Sequence, residues 1–112
     1  MKALVSVIVC TSLLAPVTAR AAEGYFDDGN SLYRLCSERE IICTATFSAY
    51  FDMMSAWGYK CSAESVNRVQ LRDVGIKYLK DNPADRHLPA PFLAIFAFQK
   101  AFNCSIPKKT GN

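Results

Sequence analysis

Residues 67–104 read NRVQLRDVGIKYLKDNPADRHLPAPFLAIFAFQKAFNC, and this stretch decides the fold. Asn67 followed three residues on by Gln70 forms a capping box, in which each side chain can meet the other's free backbone N–H. From there Leu71, Val74, Tyr78 and Leu79 recur at helical spacing and give one apolar stripe. Lys77 and Lys80 fall in the last turns, where a cation suits the negative end of the helix dipole. Pro83 disfavours helical geometry at Asn82 and stops the helix there. A short polar corner, Asp81 to Pro89, leads to Pro91, which can sit in a first helical turn without losing a needed N–H. Phe92, Leu93, Ile95, Phe96, Phe98 and Phe102 make the last helix apolar on more than one side, so more than one side must be covered.

Working outward, the start of the chain reads as a secretory leader. Lys2 gives a positive n-region, Ala3 to Ala15 is an apolar run too short to span a bilayer, and Ala19-Arg20-Ala21 is a cleavage site. Residues 1–21 are therefore expected to be a signal peptide and residues 22–112 the mature domain. Cys10 leaves with the leader and lacks the context of a lipid-anchored cysteine. No other long apolar run follows, so a soluble periplasmic or secreted protein without a membrane span is expected. Losing Lys2 and Arg20 leaves eleven basic against ten acidic residues, a net of about +1. That balance argues against a nucleic-acid partner, which needs a concentrated basic face. Lys108-Lys109 reads as a solvated tail.

Four cysteines remain in the mature chain: Cys36, Cys43, Cys61 and Cys104. An even count in a small exported domain reads as two disulfides, with three possible pairings. Cys36–Cys43 with Cys61–Cys104 is favoured. The first pair falls between the end of one helix and the start of the next, and the second ties together the two ends of the 67–104 stretch. In the chain-entropy view the short loop is worth about 2.5 kcal/mol and the long one about 4.

The remaining segment fits more helices. Asp27-Asp28-Gly29 is a turn signal, and Asn30 or Ser31 can cap a short helix through Leu32, Leu35 and Cys36. A second helix is expected from Ile41 to Trp57, with Cys43, Phe47, Tyr50, Phe51, Met54 and Trp57 at three- and four-residue steps and Gly58 as its stop. The aromatic residues Phe47, Tyr50, Phe51 and Trp57 are expected in the core. No strand pattern and no repeat appears. The expected fold is all-α, a compact bundle of about four helices stapled by two disulfides.

Chemistry is sparse. His87 is the only histidine, and the thiols it would need as partners are expected to be bonded, so no catalytic residue is assigned. One histidine and bonded cysteines leave too few ligands for a metal. The Cys36–Cys43 spacing is too wide for a Cys-x-x-Cys dithiol. Asp81 and Asp85 suit a helix end and a proline corner better than acid–base work. No phosphate loop and no cofactor site is seen. The breadth of the last helix suggests a homodimer contact through Phe92 and Phe98, or a partner groove.

Residues 72–104 resemble the C-terminal signature of the Rap/Tai immunity proteins of bacterial type VI secretion. The matching residues are Val74, Lys77, Tyr78, Leu79, Pro83, Arg86, His87, Pro89, Ala90, Phe102 and Cys104. Gly29-Asn30 with Leu32 and Cys36, Cys43 at a helix start, and Cys61 also fit the family layout. Departures are Asn82 where a histidine is common, Asn103 in place of a proline, Ser-Ala-Glu after Cys61, Gly75 inside a helix, and Ser55-Ala56 after Tyr50 where glycine is usual. If exposed, Gly75 would cost up to about 1 kcal/mol relative to Ala.

The resemblance implies an exported, non-enzymatic inhibitor. It would neutralise a peptidoglycan amidase effector by blocking the catalytic cleft. Such an interface buries on the order of 1,600 Å² around a few anchors. Candidate partner-binding residues are Asp81, Asp85, Arg86 and His87 in the corner, together with Tyr59. Two other readings compete: a small periplasmic stress chaperone, and a family-fold scaffold without a toxin partner.

Overall fold

The computed structural model describes residues 27–109. The leader expected at residues 1–21 lies outside them. Four helices follow in order: α1 (Gly29–Glu38), α2 (Glu40–Ala56), α3 (Arg68–Asp81) and α4 (Ala90–Phe102), with a short 3-10 turn at Pro83–Asp85 between the last two. Among the described residues there are no strands, only two isolated bridges, Asp28–Pro89 and Lys60–Ser105.

Each boundary has a local cause. The cap of α1 is Asp28, not Asn30 or Ser31: its carboxylate accepts the Ser31 N–H at 2.8 Å. The Asp-Asp-Gly turn signal is therefore the helix start itself. Two more free N–H groups of that first turn, on Gly29 and Asn30, donate to the carbonyls of Leu88 and Arg86, each at 3.0 Å. In α2 the hydroxyls of Thr44, Thr46, Ser48 and Ser55 donate to carbonyls four residues back, which satisfies them without leaving the helix. Gly58, at φ +93°, turns the chain out of α2 as expected. The Asn67–Gln70 capping box forms with both bonds at 2.9 Å.

The other end of α4 explains a departure noted in the sequence. Asn103 adopts the left-handed conformation, φ 48° and ψ 52°, and closes the helix. Asparagine tolerates that geometry, whereas a proline, locked near φ −65°, cannot adopt it.

Both favoured disulfides are present. Cys36–Cys43 joins α1 to α2, and Cys61–Cys104 joins the 57–67 connection to the residue after Asn103. Lys60 and Ser105 exchange backbone hydrogen bonds beside the second bridge, and the Ser62 N–H donates to the Phe102 carbonyl at 2.9 Å.

The core centres on Phe47 of α2 and Phe98 of α4, both fully buried, with Met54, Leu79, Leu93 and Cys43 around them. Phe98 meets Phe47 and Phe51 edge-on, with centroids 6.2 and 5.2 Å apart, and stacks on Phe102 at 6.1 Å. Thus α2 lies across both α3 and α4.

Burial corrects two expectations. Trp57 is not in the core: it is 57% exposed, because α2 ends one residue earlier and the indole falls outside the packed turns. Phe98 is 0% exposed and cannot contribute to a dimer contact in this fold, because the aromatic cluster encloses it. The exposed apolar face of α4 is Phe92 and Phe96, one turn apart.

Candidate partner-binding surface

The corner 81–89 is built from α3's end, the 3-10 turn and α4's start, and its backbone is pinned by α1. The Gly29 and Asn30 N–H groups bond to it, and Ala90 N–H donates to the Asp27 carbonyl at 3.1 Å. Glycine is required at position 29, since a Cβ there would stand 2.9 Å from Arg86 backbone atoms.

The four corner candidates behave differently. Arg86 turns inward. Its Nε donates to the Leu79 carbonyl at 2.6 Å, one of the last acceptors of α3, and its guanidinium lies 4.0 Å from the centroid of the Tyr33 ring. It ties α1 to the end of α3, which is structural work. Asp81 is exposed and pairs with Lys77 at 2.6 Å, one helical turn away. The hydrogen bond from Lys77, then the charges of Lys77, Lys100 and Lys80, hold its carboxyl below the usual range. Asp85 is half-buried, and its backbone accepts the Leu88 N–H. Burial and then the Asp85 charge push the Tyr78 phenol up. His87 is exposed. Its Nδ1 lies 2.9 Å from the Ala84 carbonyl, which can only accept, so Nδ1 is the donor there.

Tyr59 does not join the corner. It is half-buried and follows α2, next to the Cys61–Cys104 bridge at the C-terminal end of α4. The corner sits at the N-terminal end of the same helix. Thirteen residues at about 1.5 Å each separate the two places by roughly 20 Å. The sequence candidates therefore form two patches.

Three exposed features escaped the sequence reading. Trp57 and Ile106 stand out at the Tyr59 end, 57% and 70% exposed. Ile41 and Val69 line a cleft between the starts of α2 and α3, closed on one side by Arg72, which bridges Glu40 and Asp73. A second cleft, of about 260 Å³, lies between α3 and α4, with Val74, Tyr78, Ala97 and Ala101 inside it and Lys77, Lys100 and Asp81 at its rim. The sequence carried one signal for the first cleft: α2 has Ile41, Ile42, Ala45 and Ala49 in addition to its Cys43, Phe47 and Met54 stripe, more apolar residues than a single buried face requires.

Among the described residues no group of three or more His, Cys, Asp or Glu side chains could hold a metal. No helix there is long and apolar enough to cross a membrane. What the surface offers is exposed apolar side chains rimmed by charge on a disulfide-stapled scaffold. A family model for Rap1a immunity proteins matches residues 28–104. The chain belongs to the Rap1a immunity protein family. The match begins at the Asp28 cap of α1 and ends at Cys104 of the second disulfide, so it covers the whole helical domain of this immunity protein. No curated protein and no solved structure matches the chain.

Proposed function

We propose that this Rap1a-family protein works outside the cytoplasm, without chemistry of its own, by binding a peptidoglycan amidase effector of type VI secretion and covering its active-site cleft. The observation that carries the reading is the family match across all four helices and both disulfides. The two bridges support an oxidising compartment such as the periplasm, where thiols stay paired. A helical core pinned by disulfides at both ends suits an inhibitor, because a rigid surface loses little entropy on docking. His87 and Asp85 at the corner, and Tyr59 with Trp57 at the far end, are the side chains we assign to partner contact. Arg86 holds the corner in shape. We assign a homodimer contact to α4, a reading supported by the exposure of Phe92 and Phe96 and tested by sedimentation of Phe92→Lys against the wild type.

The test of the main reading mixes the oxidised mature protein with each cell-wall amidase effector of type VI secretion found in the same genome and follows peptidoglycan hydrolysis. Hydrolysis should stop at equimolar inhibitor and stay unaffected by unrelated amidases. Undiminished hydrolysis at a large excess of inhibitor refutes the reading.

A further inference from the structure

The segment after α4 runs antiparallel to the segment after α2. Lys60 and Ser105 donate to each other's carbonyls, at 3.4 and 2.8 Å. One step along that register Cys61 meets Cys104, and the disulfide welds the pair there. Two steps the other way Gly58 meets Pro107, whose Cβ would stand 3.6 Å from a Cβ at position 58. Trp57 and Lys108 therefore flank the same end of a short ribbon. Trp57 and Ile106 are its exposed apolar residues, and Tyr59 packs inward on the core. Residues 57–61 and 104–109 hold three lysines, Lys60, Lys108 and Lys109, and no acidic residue. All three are exposed, and among the described residues none is in an ion pair. Of the nearest acids in sequence, Asp52 points about 140° away from Trp57 around α2, and Glu64 lies beyond the Cys61 bridge. The rest of residues 22–112 carries eight basic and ten acidic side chains, so the ribbon is the positive end of a domain that is otherwise slightly negative.

We propose that this ribbon docks on an acidic surface of a protein partner, with Trp57 and Ile106 seated in an apolar depression and carboxylates pairing with Lys60, Lys108 and Lys109. The identity of the partner as the amidase rests on the immunity reading above. Two apolar side chains gain from leaving water against any hydrocarbon group, so they alone select nothing. The lysines select: they speed the approach of a carboxylate-bearing partner and disfavour a basic one. Tryptophan is a frequent anchor in protein interfaces, because one rigid ring buries a large area. The Cys61–Cys104 weld holds the ribbon in register, so little order has to be imposed on docking. An anionic lipid surface would meet the same lysines, and membership of an immunity protein family favours the protein.

Two measurements test this. In the first, each type VI amidase effector of the same genome is titrated by calorimetry, at low and high salt, into the oxidised wild type, Trp57→Ala, Lys60→Glu/Lys108→Glu, and the control Arg68→Glu/Lys80→Glu. The control changes the net charge equally, on exposed positions of α3. For an amidase that binds, Trp57→Ala and the ribbon charge reversal should each weaken binding about tenfold or more, and the reversal should flatten the salt dependence, while the control stays within about threefold. Equal losses in the reversal and the control, or undiminished affinity in either ribbon variant, overturn the proposal and leave the immunity reading standing. In the second, the emission of Trp57, the chain's only tryptophan, is followed against a peptide of Leu and Glu, the same peptide carrying Lys for Glu, and phosphatidylglycerol vesicles. The emission should shift to the blue with the acidic peptide alone. Where an amidase binds, the calorimetry decides; where none binds, the emission does. A blue shift with the acidic peptide alone then means the site holds and the immunity reading fails. No shift with that peptide, an equal shift with its basic counterpart, or a shift with the vesicles overturns the site.

Discussion

Gly75→Ala should destabilise this protein, although the same change in most helices stabilises. Gly75 is buried in the middle of α3. A methyl group there would run into three carbons of the Phe47 ring, Cδ1, Cε1 and Cζ. That ring cannot step aside easily, since it is fully buried and packed edge-on against Tyr50 and Phe98. Helix propensity favours alanine by about 1 kcal/mol. Overpacking a tight core costs about 1–3 kcal/mol, and three overlapping ring atoms place this case at the upper end. The net is a loss of about 2 kcal/mol, or roughly 8–16 °C in Tm for a domain of this size. Thermal unfolding followed by circular dichroism reads it directly. The cause is isolated by a double-mutant cycle with Phe47→Leu, whose smaller side chain makes room for the methyl, and the coupling should reach about 1 kcal/mol or more. A Gly75→Ala variant that melts at or above the wild type, or effects that simply add, refutes the argument.

Other consequences follow from the same contacts. Arg86→Ala removes a hydrogen bond to the Leu79 carbonyl and the stacking on Tyr33, and should cost about 2–3 kcal/mol in urea unfolding. Arg86→Lys should recover little, because an ammonium cannot donate and stack from one plane. Replacing Cys61 and Cys104 together by alanine should lower stability more than replacing Cys36 and Cys43, by about 4 against about 2.5 kcal/mol, since the loops span 43 and 7 residues. The Asp28 cap should show in the pH profile. Its hydrogen bonds, chiefly from the Ser31 N–H, hold its carboxyl below 3.8, so its contribution is present above that pH and lost as pH falls through the folded value. Asp28→Asn keeps the cap as a neutral acceptor and should flatten the acid limb of a stability-versus-pH curve. An unchanged acid limb speaks against the cap as its source.

How far the chain could be read depends on the range of the signal. The Asn67–Gln70 box, the Pro83 stop and the Gly58 turn involve residues at most a few positions apart, and all three appear as expected. The α1 cap was misplaced by two or three residues because Asp, Asn and Ser all cap well, and only Asp28 stands where the corner carbonyls take the next two N–H groups. Candidate contact residues were the least legible. Arg86 and His87 are neighbours in a polar corner, yet one points into the protein and the other into solvent. Phe96 and Phe98 are equally apolar, yet one is 42% exposed and the other not at all.

By itself the sequence determined four helices, their approximate limits, and a cysteine set suited to two bridges, because helices and caps are written in residues three or four apart. Tertiary structure alone decided the pairing of the four cysteines, the need for glycine at position 75, the inward turn of Arg86 and the exposure of Trp57. Each of these depends on which distant residue arrives alongside, and that is set by how α2 lies across α3 and α4 when the core around Phe47 and Phe98 closes.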